Sequence, residues 1–115
     1  MSAVTAPTGI TRGDIWTVQV ADDVKPRPAL VLSIDAINDL CPDVILVPIT
    51  SKAGPLRVEV GAADQGTGLD HLSYAKCTSV GPVHKARLRR RIGRLPAATL
   101  RAVEACVARL LGIAE

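Results

Sequence analysis

The sequence predicts a mainly β protein that ends in one α-helix, with its strands forming a small, partly closed β-barrel. Short runs rich in β-branched residues are separated by turns about every eight to twelve residues, as in small barrels. Apolar residues recur at helical spacing only near the C-terminus. Strands and helices do not alternate along the chain, which argues against a parallel nucleotide-binding sheet.

The chain of 115 residues is long enough for one domain with one core, predicted over 1–115 with a flexible N-terminus at 1–9. Phe is absent, and Trp16 and Tyr74 are the only aromatic residues, so the core must be aliphatic. This scarcity also argues against RNA recognition by rows of stacked aromatic side chains.

No apolar run approaches the ~20 residues that span a bilayer, and the N-terminus lacks a signal-peptide pattern. We therefore expect a soluble cytoplasmic protein without a membrane partner. The three cysteines, which are far apart and form no CxxC pair, indicate free thiols in a reducing compartment: Cys41, Cys77 and Cys106.

The first half of the chain contains four predicted strands, at about 14–20, 29–34, 44–50 and 56–60. Pro48 cannot donate to a central ladder, so it marks an edge or a bulge. Residues 35–42 are expected to form a connection without regular structure.

The second half is predicted to hold a glycine-rich loop at 61–68 and extended segments at 72–80, 83–88 and 91–95. Pro96 then begins the helix, because the first helical turn tolerates proline. Leucines and valines recur at helical spacing from 100 to 111, and Gly112 provides the C-cap.

The charges of the chain are separated along its length, although the net charge is only +3. No acidic residue occurs from His71 to Val103, a window that holds eight Lys and Arg residues. Such a chain can present a positive face to a polyanion. The alternative is that these arginines alternate between strand faces and pair with acids of the first half.

The segment Lys25-Pro26-Arg27-Pro28 presents an arginine on stiff backbone just before a buried strand. Each proline fixes its own φ and disfavours helical backbone in the preceding residue, so Lys25 and Arg27 are held extended. A guanidinium is planar, always charged and carries five donors, which suits it to bind a phosphate or carboxylate. The alternative is an ordinary strand-edge residue that prolines protect from pairing.

Further polar residues follow predicted strands, namely Thr50-Ser51-Lys52 after one strand and Lys76 with Thr78 on another segment. Strand ends of a small barrel can meet on one face, where these residues and Arg27 would form a cationic, hydroxyl-rich pocket for phosphate. Standard catalytic motifs are absent, and the two histidines are isolated. We therefore expect neither a metal nor another cofactor.

Four blocks in this order resemble the MazF/PemK family, the toxins of bacterial type II toxin–antitoxin pairs. The blocks are Arg-Gly-Asp-Ile-Trp (12–16), Lys-Pro-Arg-Pro-Ala-Leu-Val-Leu-Ser (25–33), Val-Pro-Ile-Thr-Ser (47–51) and Ile-Gly-Arg-Leu-Pro (92–96). The resemblance covers roughly residues 11–113. The second and third blocks at this spacing form its most specific part.

The resemblance implies an SH3-like barrel, a homodimer and a metal-independent endoribonuclease (an mRNA interferase) that cuts single-stranded RNA at short sequences. The family's catalytic arginine and threonine fall on Arg27 and Thr50. In this mechanism the ribose 2′-oxygen attacks the adjacent phosphorus and leaves a 2′,3′-cyclic phosphate and a 5′-hydroxyl. Lys76 falls on a position that is basic in some members, and Thr78 stands where some members carry a catalytic aspartate.

Six residues are expected to contact the RNA beside the catalytic pair: Lys25, Ser51, Lys52, His71, Lys76 and Thr78. The implied protein partner is a MazE-like antitoxin whose acidic, disordered tail covers the RNA groove. The alternative function is a non-catalytic barrel that binds nucleic acid or protein, including a gyrase-binding toxin of the same fold. A pure binder has no need for both Arg27 and Thr50, and a gyrase-binding signature would lie in the C-terminal helix.

Overall fold

The computed structural model describes residues 7–61 and 66–113, so residues 1–6 of the predicted flexible N-terminus lie outside the described residues. The strands are β1 (Asp14–Val18), β2 (Arg27–Val31), β3 (Asp43–Thr50), β4 (Arg57–Gly61), β5 (Ser73–Lys76), β6 (Gly81–His84) and β7 (Leu88–Arg94). The helices are α1 (Asp35–Leu40) and α2 (Ala97–Leu110). Two 3₁₀ turns occupy Cys77–Ser79 and Lys85–Arg87.

All seven strands join one antiparallel sheet. Its order is β4-β5-β3-β2-β1-β7, and β6 pairs with the first half of β3. The path of strands is open, as expected for a partly closed barrel. The predicted mainly β fold with a C-terminal helix is confirmed.

The longest strand, β3, is central and changes partners along its length. Its residues 43–46 pair with β6, whereas Ile49 and Thr50 pair with β5. Pro48 lies in the gap between these two pairings and faces Ala29 of β2. Of the two predicted positions for Pro48, an edge or a bulge, the edge of the sheet is excluded because β3 is a central strand. Pro48 instead lies where β3 passes from one neighbour to the next, and its missing N–H is accommodated there.

Side-chain alternation along the strands builds two apolar clusters. One lies between the sheet and α2 and includes Ile15, Leu30 and Val103. The other includes Trp16 and Val31, which alternate with the first set along β1 and β2. Both clusters are mainly aliphatic, with Trp16 in one of them and Cys77 and Cys106 in the other. They are separate because a period of two sends successive side chains of a strand to opposite faces.

The terminal helix α2 follows the prediction closely. It begins directly after Pro96 and covers the sheet with Val103 and Val107. Gly112, at φ +74°, ends it in a left-handed conformation, and the N–H of Ile113 donates to the carbonyl of Ala108 in a Schellman motif. In the described ranges no helix is long and apolar enough to cross a membrane.

The predicted connection at 35–42 is wrong in one respect, because residues 35–40 form the short helix α1. A buried hydrogen-bond network holds it. The Ser33 hydroxyl donates to Asn38 Oδ1 at 2.5 Å, and Asn38 Nδ2 donates to the Ser33 carbonyl at 3.0 Å. The Ile45 N–H in turn donates to Ser33 Oγ. These tertiary contacts, rather than local helical periodicity, stabilise the helix.

The predicted extended segment 72–80 also needs correction. Its strand, β5, ends at Lys76, and the chain then turns through Cys77–Ser79. The turn brings Cys77 into the core against α2. Likewise, the segment predicted at 83–88 divides into β6 and a second turn, and β7 begins earlier than residue 91.

Candidate active site

A groove of about 740 Å³ is lined by residues from β1, β2, β3, β5 and β7 and from three loops. Five residues predicted from the sequence line it: Lys25, Arg27, Thr50, Ser51 and His71. Four polar residues that were not predicted also line it: Thr17, Asp70, Ser73 and Arg90. The groove is therefore cationic and rich in hydroxyl groups, with one carboxylate.

Arg27 is the first residue of β2, where it pairs with Val18 of β1. Pro26 and Pro28 flank it and fix the backbone as it enters the sheet. Its side chain is exposed and makes no hydrogen bond or ion pair within residues 7–61 and 66–113. All five guanidinium N–H donors are thus directed to solvent or to a ligand.

Thr50 is the last residue of β3, the strand next to β2. The β2–β3 pairing ends at Ala29 opposite Pro48, and Arg27 and Thr50 each lie two residues beyond it, at the same end of these neighbouring strands. Both residues line the groove. Thr50 Oγ1 accepts a hydrogen bond from the Lys52 N–H at 3.3 Å, so its own hydroxyl proton remains available.

A smaller apolar pocket of about 140 Å³ adjoins the groove. Arg27 and the prolines of β2 and β3, Pro28 and Pro48, line both spaces. Leu46 and Val83 are among the residues that line the apolar one. Arg27 therefore separates a polar groove from an apolar recess.

The loop of residues 66–71, called the groove loop, lies directly against β7. The Arg94 N–H donates to the Gly66 carbonyl at 2.9 Å. A Cβ at Gly68 would lie 2.0 Å from the Ile92 carbonyl oxygen, and a Cβ at Gly93 would lie 2.2 Å from the Thr67 carbonyl. Only glycine permits this approach, which places Asp70 and His71 at the groove.

The basic cluster of the second half divides into paired and unpaired arginines. Arg91 and Arg94 both contact Asp14, a carboxylate that is 2 % exposed, at 3.3 and 2.9 Å. Arg87 pairs with Asp22 at 3.2 Å. Arg90 has no such partner in the described ranges and lines the groove. The alternative of pairing with acids of the first half thus holds for three arginines and not for Arg90.

Three residues predicted to bind RNA lie outside the groove lining. Lys76 pairs with Arg57 on β4, and Thr78 is exposed in the 3₁₀ turn. Lys52 follows β3, and its carbonyl accepts a hydrogen bond from Arg57 at 2.7 Å. The strand β5, which carries Lys76, is adjacent to β3, and Ser73 at its other end lines the groove, but Lys76 does not.

Other reactive groups do not form a second centre. Within the described part of the chain, no three His, Cys, Asp or Glu side chains come together as metal ligands. His84 is outside the groove, and its Nδ1 accepts the Ala86 N–H at 3.1 Å. Burial raises the pKa of the Cys77 thiol to about 12, with Cys106 beside it adding to the shift, so Cys77 stays protonated.

Residues 11–111 match the model of a family described as the PemK-like, MazF-like toxin of type II toxin–antitoxin systems. The chain belongs to this family. The resemblance that the sequence blocks indicated is confirmed, and the match spans every element from β1 to α2 of the toxin.

Solved structures show the same fold. The toxin is similar to a mycobacterial endoribonuclease in complex with its cognate antitoxin, with a TM-score of 0.78, 23% identity and coverage of 95% of this chain and 99% of that chain. A MazE–MazF structure from Deinococcus radiodurans gives a TM-score of 0.77, 24% identity and coverage of 96% and 99%. A second mycobacterial endoribonuclease gives 0.73, 25% identity and coverage of 95% and 94%.

Proposed function

We propose that this toxin is a sequence-specific endoribonuclease that cleaves single-stranded RNA, and mRNA in particular, by attack of a ribose 2′-hydroxyl on the adjacent phosphorus. Family membership and the similarity to structures of endoribonucleases support this activity. The observation that carries the proposal is the common position of two residues at the end of the β2–β3 pairing. Arg27, whose side chain has no partner within the described residues, and Thr50 each lie two residues beyond the last pair and line a cationic groove.

The chemistry requires positioning and charge stabilisation, because the nucleophile belongs to the substrate. Arg27 donates two hydrogen bonds to the non-bridging oxygens as negative charge accumulates on the phosphorane. Thr50 donates a third from the facing strand. Preorganised donors of this kind contribute about 10²–10³ in rate each. The products are a 2′,3′-cyclic phosphate and a 5′-hydroxyl, and this scheme requires no metal ion.

Proton transfer needs a further group, since a guanidinium with a pKa above ~12 does not act as a base. His71 is the histidine in the groove, and imidazole is the side chain that exchanges protons near neutral pH. The carboxylate of Asp70 precedes it in the groove loop. We assign the transfer of the 2′-hydroxyl proton, or of the leaving-group proton, to this pair.

The same groove serves for control by a partner protein. Structures similar to this toxin include a complex with a cognate antitoxin and a MazE–MazF complex. An acidic, disordered antitoxin tail would present carboxylates to the free guanidinium of Arg27 and to Lys25, in competition with RNA phosphates. We assign the toxin a homodimeric state and a cytoplasmic location, where its mRNA substrate is found.

The test is cleavage of a long single-stranded RNA in EDTA by the wild type, Arg27→Ala and Arg101→Ala, with the new ends mapped. Arg101 is exposed on α2 and, like Arg27, makes no side-chain interaction within the described ranges, so it is a matched control. We expect discrete cuts ending in cyclic phosphate for the wild type and Arg101→Ala. Arg27→Ala should lose about 10²–10³ in rate while keeping its fold.

Three outcomes contradict parts of the proposal. Near wild-type cleavage by Arg27→Ala would remove Arg27 from the mechanism. Activity that EDTA abolishes and a divalent ion restores would defeat the metal-free scheme. If the wild type binds RNA without cutting it, the toxin is a non-catalytic binding barrel.

A further inference from the structure

Arg90 is the cation of the groove that neither the sequence motifs nor the catalytic scheme uses. It is exposed, it lines the groove, and its side chain makes no hydrogen bond or ion pair within residues 7–61 and 66–113. Its backbone, in contrast, is held in the sheet, because Arg90 pairs with Thr17 of β1 and its carbonyl accepts a hydrogen bond from the Thr17 hydroxyl at 3.4 Å.

One of the two register shifts between β1 and β7 determines which arginine lines the groove. Val18 pairs with Leu88, but Thr17 pairs with Arg90, so Arg89 is the extra residue of a bulge. Without this bulge Arg89 would oppose Thr17. Bulges of this kind redirect side chains and are common beside active sites.

The bulge separates Arg90 from its arginine neighbours. Arg91 pairs with Trp16 and contacts the buried Asp14, on the other face of the sheet. The Arg89 side chain donates to the Ala86 carbonyl at 2.8 Å. Of three consecutive arginines, Arg90 is thus the one whose guanidinium lines the groove.

Arg90 lies at a fixed separation from β2, the strand that begins with Arg27. It faces Thr17, which in turn faces Pro28 of β2, the residue after Arg27. Two strand spacings correspond to about 10 Å between backbones. Because both arginines line the groove, this separation allows their guanidinium groups to contact neighbouring phosphates of one extended strand.

We propose that Arg90 is an RNA-binding residue that binds a phosphate next to the scissile one. It thereby determines the path of the RNA across β1 towards β7. The inference rests on the proposed endoribonuclease function. It assigns to Arg90 affinity and alignment rather than a share in the chemical step.

The test uses a single-stranded RNA containing the mapped cleavage site and its analogue with 2′-O-methyl groups, which binds but cannot be cut. Affinity for the analogue is measured at several salt concentrations for the wild type, Arg90→Ala, Arg90→Lys and Arg89→Ala. Arg90→Ala should bind about tenfold more weakly, as expected for one charge-assisted contact. Its slope of log affinity against log salt should fall by about 0.7.

Arg90→Lys should restore the salt slope, since it keeps the charge, and Arg89→Ala should match the wild type in both quantities. At saturating RNA, Arg90→Ala should lose much less of the cleavage rate than Arg27→Ala, which should lose about 10²–10³. This split between affinity and rate distinguishes a phosphate contact from a structural role.

The proposal for Arg90 is overturned if Arg90→Ala binds the analogue like the wild type, or if Arg89→Ala loses as much affinity as Arg90→Ala. In those cases cleavage by the wild type leaves the endoribonuclease function intact. If the wild type neither binds nor cuts the RNA, both the proposed endoribonuclease function and the proposed role of Arg90 are contradicted.

Discussion

The groove and the interior beside it differ in whether their charged and polar side chains have partners. In the groove, Arg27 and Arg90 are exposed and have no side-chain partner within the described residues. In the interior, Asp14 is almost fully buried and is held by two arginines, while Ser33 and Asn38 bond to each other. Free donors suit a site that must bind an anion, and paired ones suit a scaffold.

The contrast is sharpest along β7, where Arg90 and Arg91 are adjacent in sequence and differ in role. Arg91 contacts Asp14, and Arg90 faces the groove. Both are arginines in one basic run, so composition does not separate them. The strand register separates the two arginines. A basic cluster therefore indicates a binding site only when each of its side chains has been assigned to a face of the sheet.

The largest effect should come from Gly93→Ala, which disrupts the contact between β7 and the groove loop. The new Cβ would lie 2.2 Å from the Thr67 backbone carbonyl, which cannot rotate away. We expect a loss of about 3 kcal/mol in the free energy of unfolding, at the upper end for overpacking, together with slower RNA cleavage. Chemical denaturation and a cleavage assay measure the two quantities.

Gly81→Ala is the matched control, because the nearest atom to its new Cβ is the Ser79 carbonyl oxygen at 4.0 Å. Gly81 lies in β6 and has no left-handed backbone. Wild-type stability and cleavage in Gly93→Ala would show that the groove loop does not depend on its close approach to β7.

Asp14→Asn should affect the scaffold and spare the chemistry. The change removes the charge that Arg91 and Arg94 share, and both arginines are about half exposed and remain solvated. We expect about 2 kcal/mol of lost stability, the value for hydrogen bonds to a charged group, with an unchanged cleavage rate at saturating RNA. A large fall in that rate at a temperature where the variant is folded would abolish the distinction between scaffold and groove.

The effect that is absent at neutral pH, and so the smallest under the conditions of the other tests, concerns Cys77. Its folded-state pKa is raised by burial to about 12, above the value near 9 of a free thiol. Above pH 9 the unfolded chain releases this proton and the folded chain does not, so stability falls as the pH rises from 9 towards 12. The slope should be about 1 kcal/mol per pH unit.

Denaturation of the wild type and Cys77→Ala at several alkaline pH values measures this contribution together with that of the neighbouring Cys106, because the remaining titrating groups are common to both proteins. The difference in stability between them should shrink as the pH rises. A difference that stays constant from pH 8 to 11 would contradict the raised pKa.

The sequence was sufficient for the order of the extended segments, the terminal helix and the family, but not for all strand bounds. The apolar run after Arg27 predicted a strand from residue 29, whereas β2 begins at Arg27 itself, and the end of the next apolar run located Thr50. These are local signals of period and backbone stiffness, which one sequence carries in full. The assignment of Arg27 and Thr50 as catalytic residues remains a prediction.

The rest depended on side-chain hydrogen bonds, turns and register shifts. The helix α1 is held by hydrogen bonds of Ser33 with Asn38 and with the Ile45 N–H, which no periodicity reveals. Thr78 lies in the turn after β5, outside the groove lining, and the bulge at Arg89 sets Arg90 opposite Thr17. Register shifts and turns of this kind leave a weak trace in sequence, because any polar residue tolerates them.

Trp16 gives the chain an optical probe of one of its two clusters. It is the single tryptophan, it is 6 % exposed, and its indole lies among aliphatic side chains on the face away from α2. Its emission therefore reports on the packing of β1, β2 and β7 on that face. The helix-covered cluster contains no tryptophan, so comparing fluorescence with far-ultraviolet circular dichroism resolves whether the two clusters melt together.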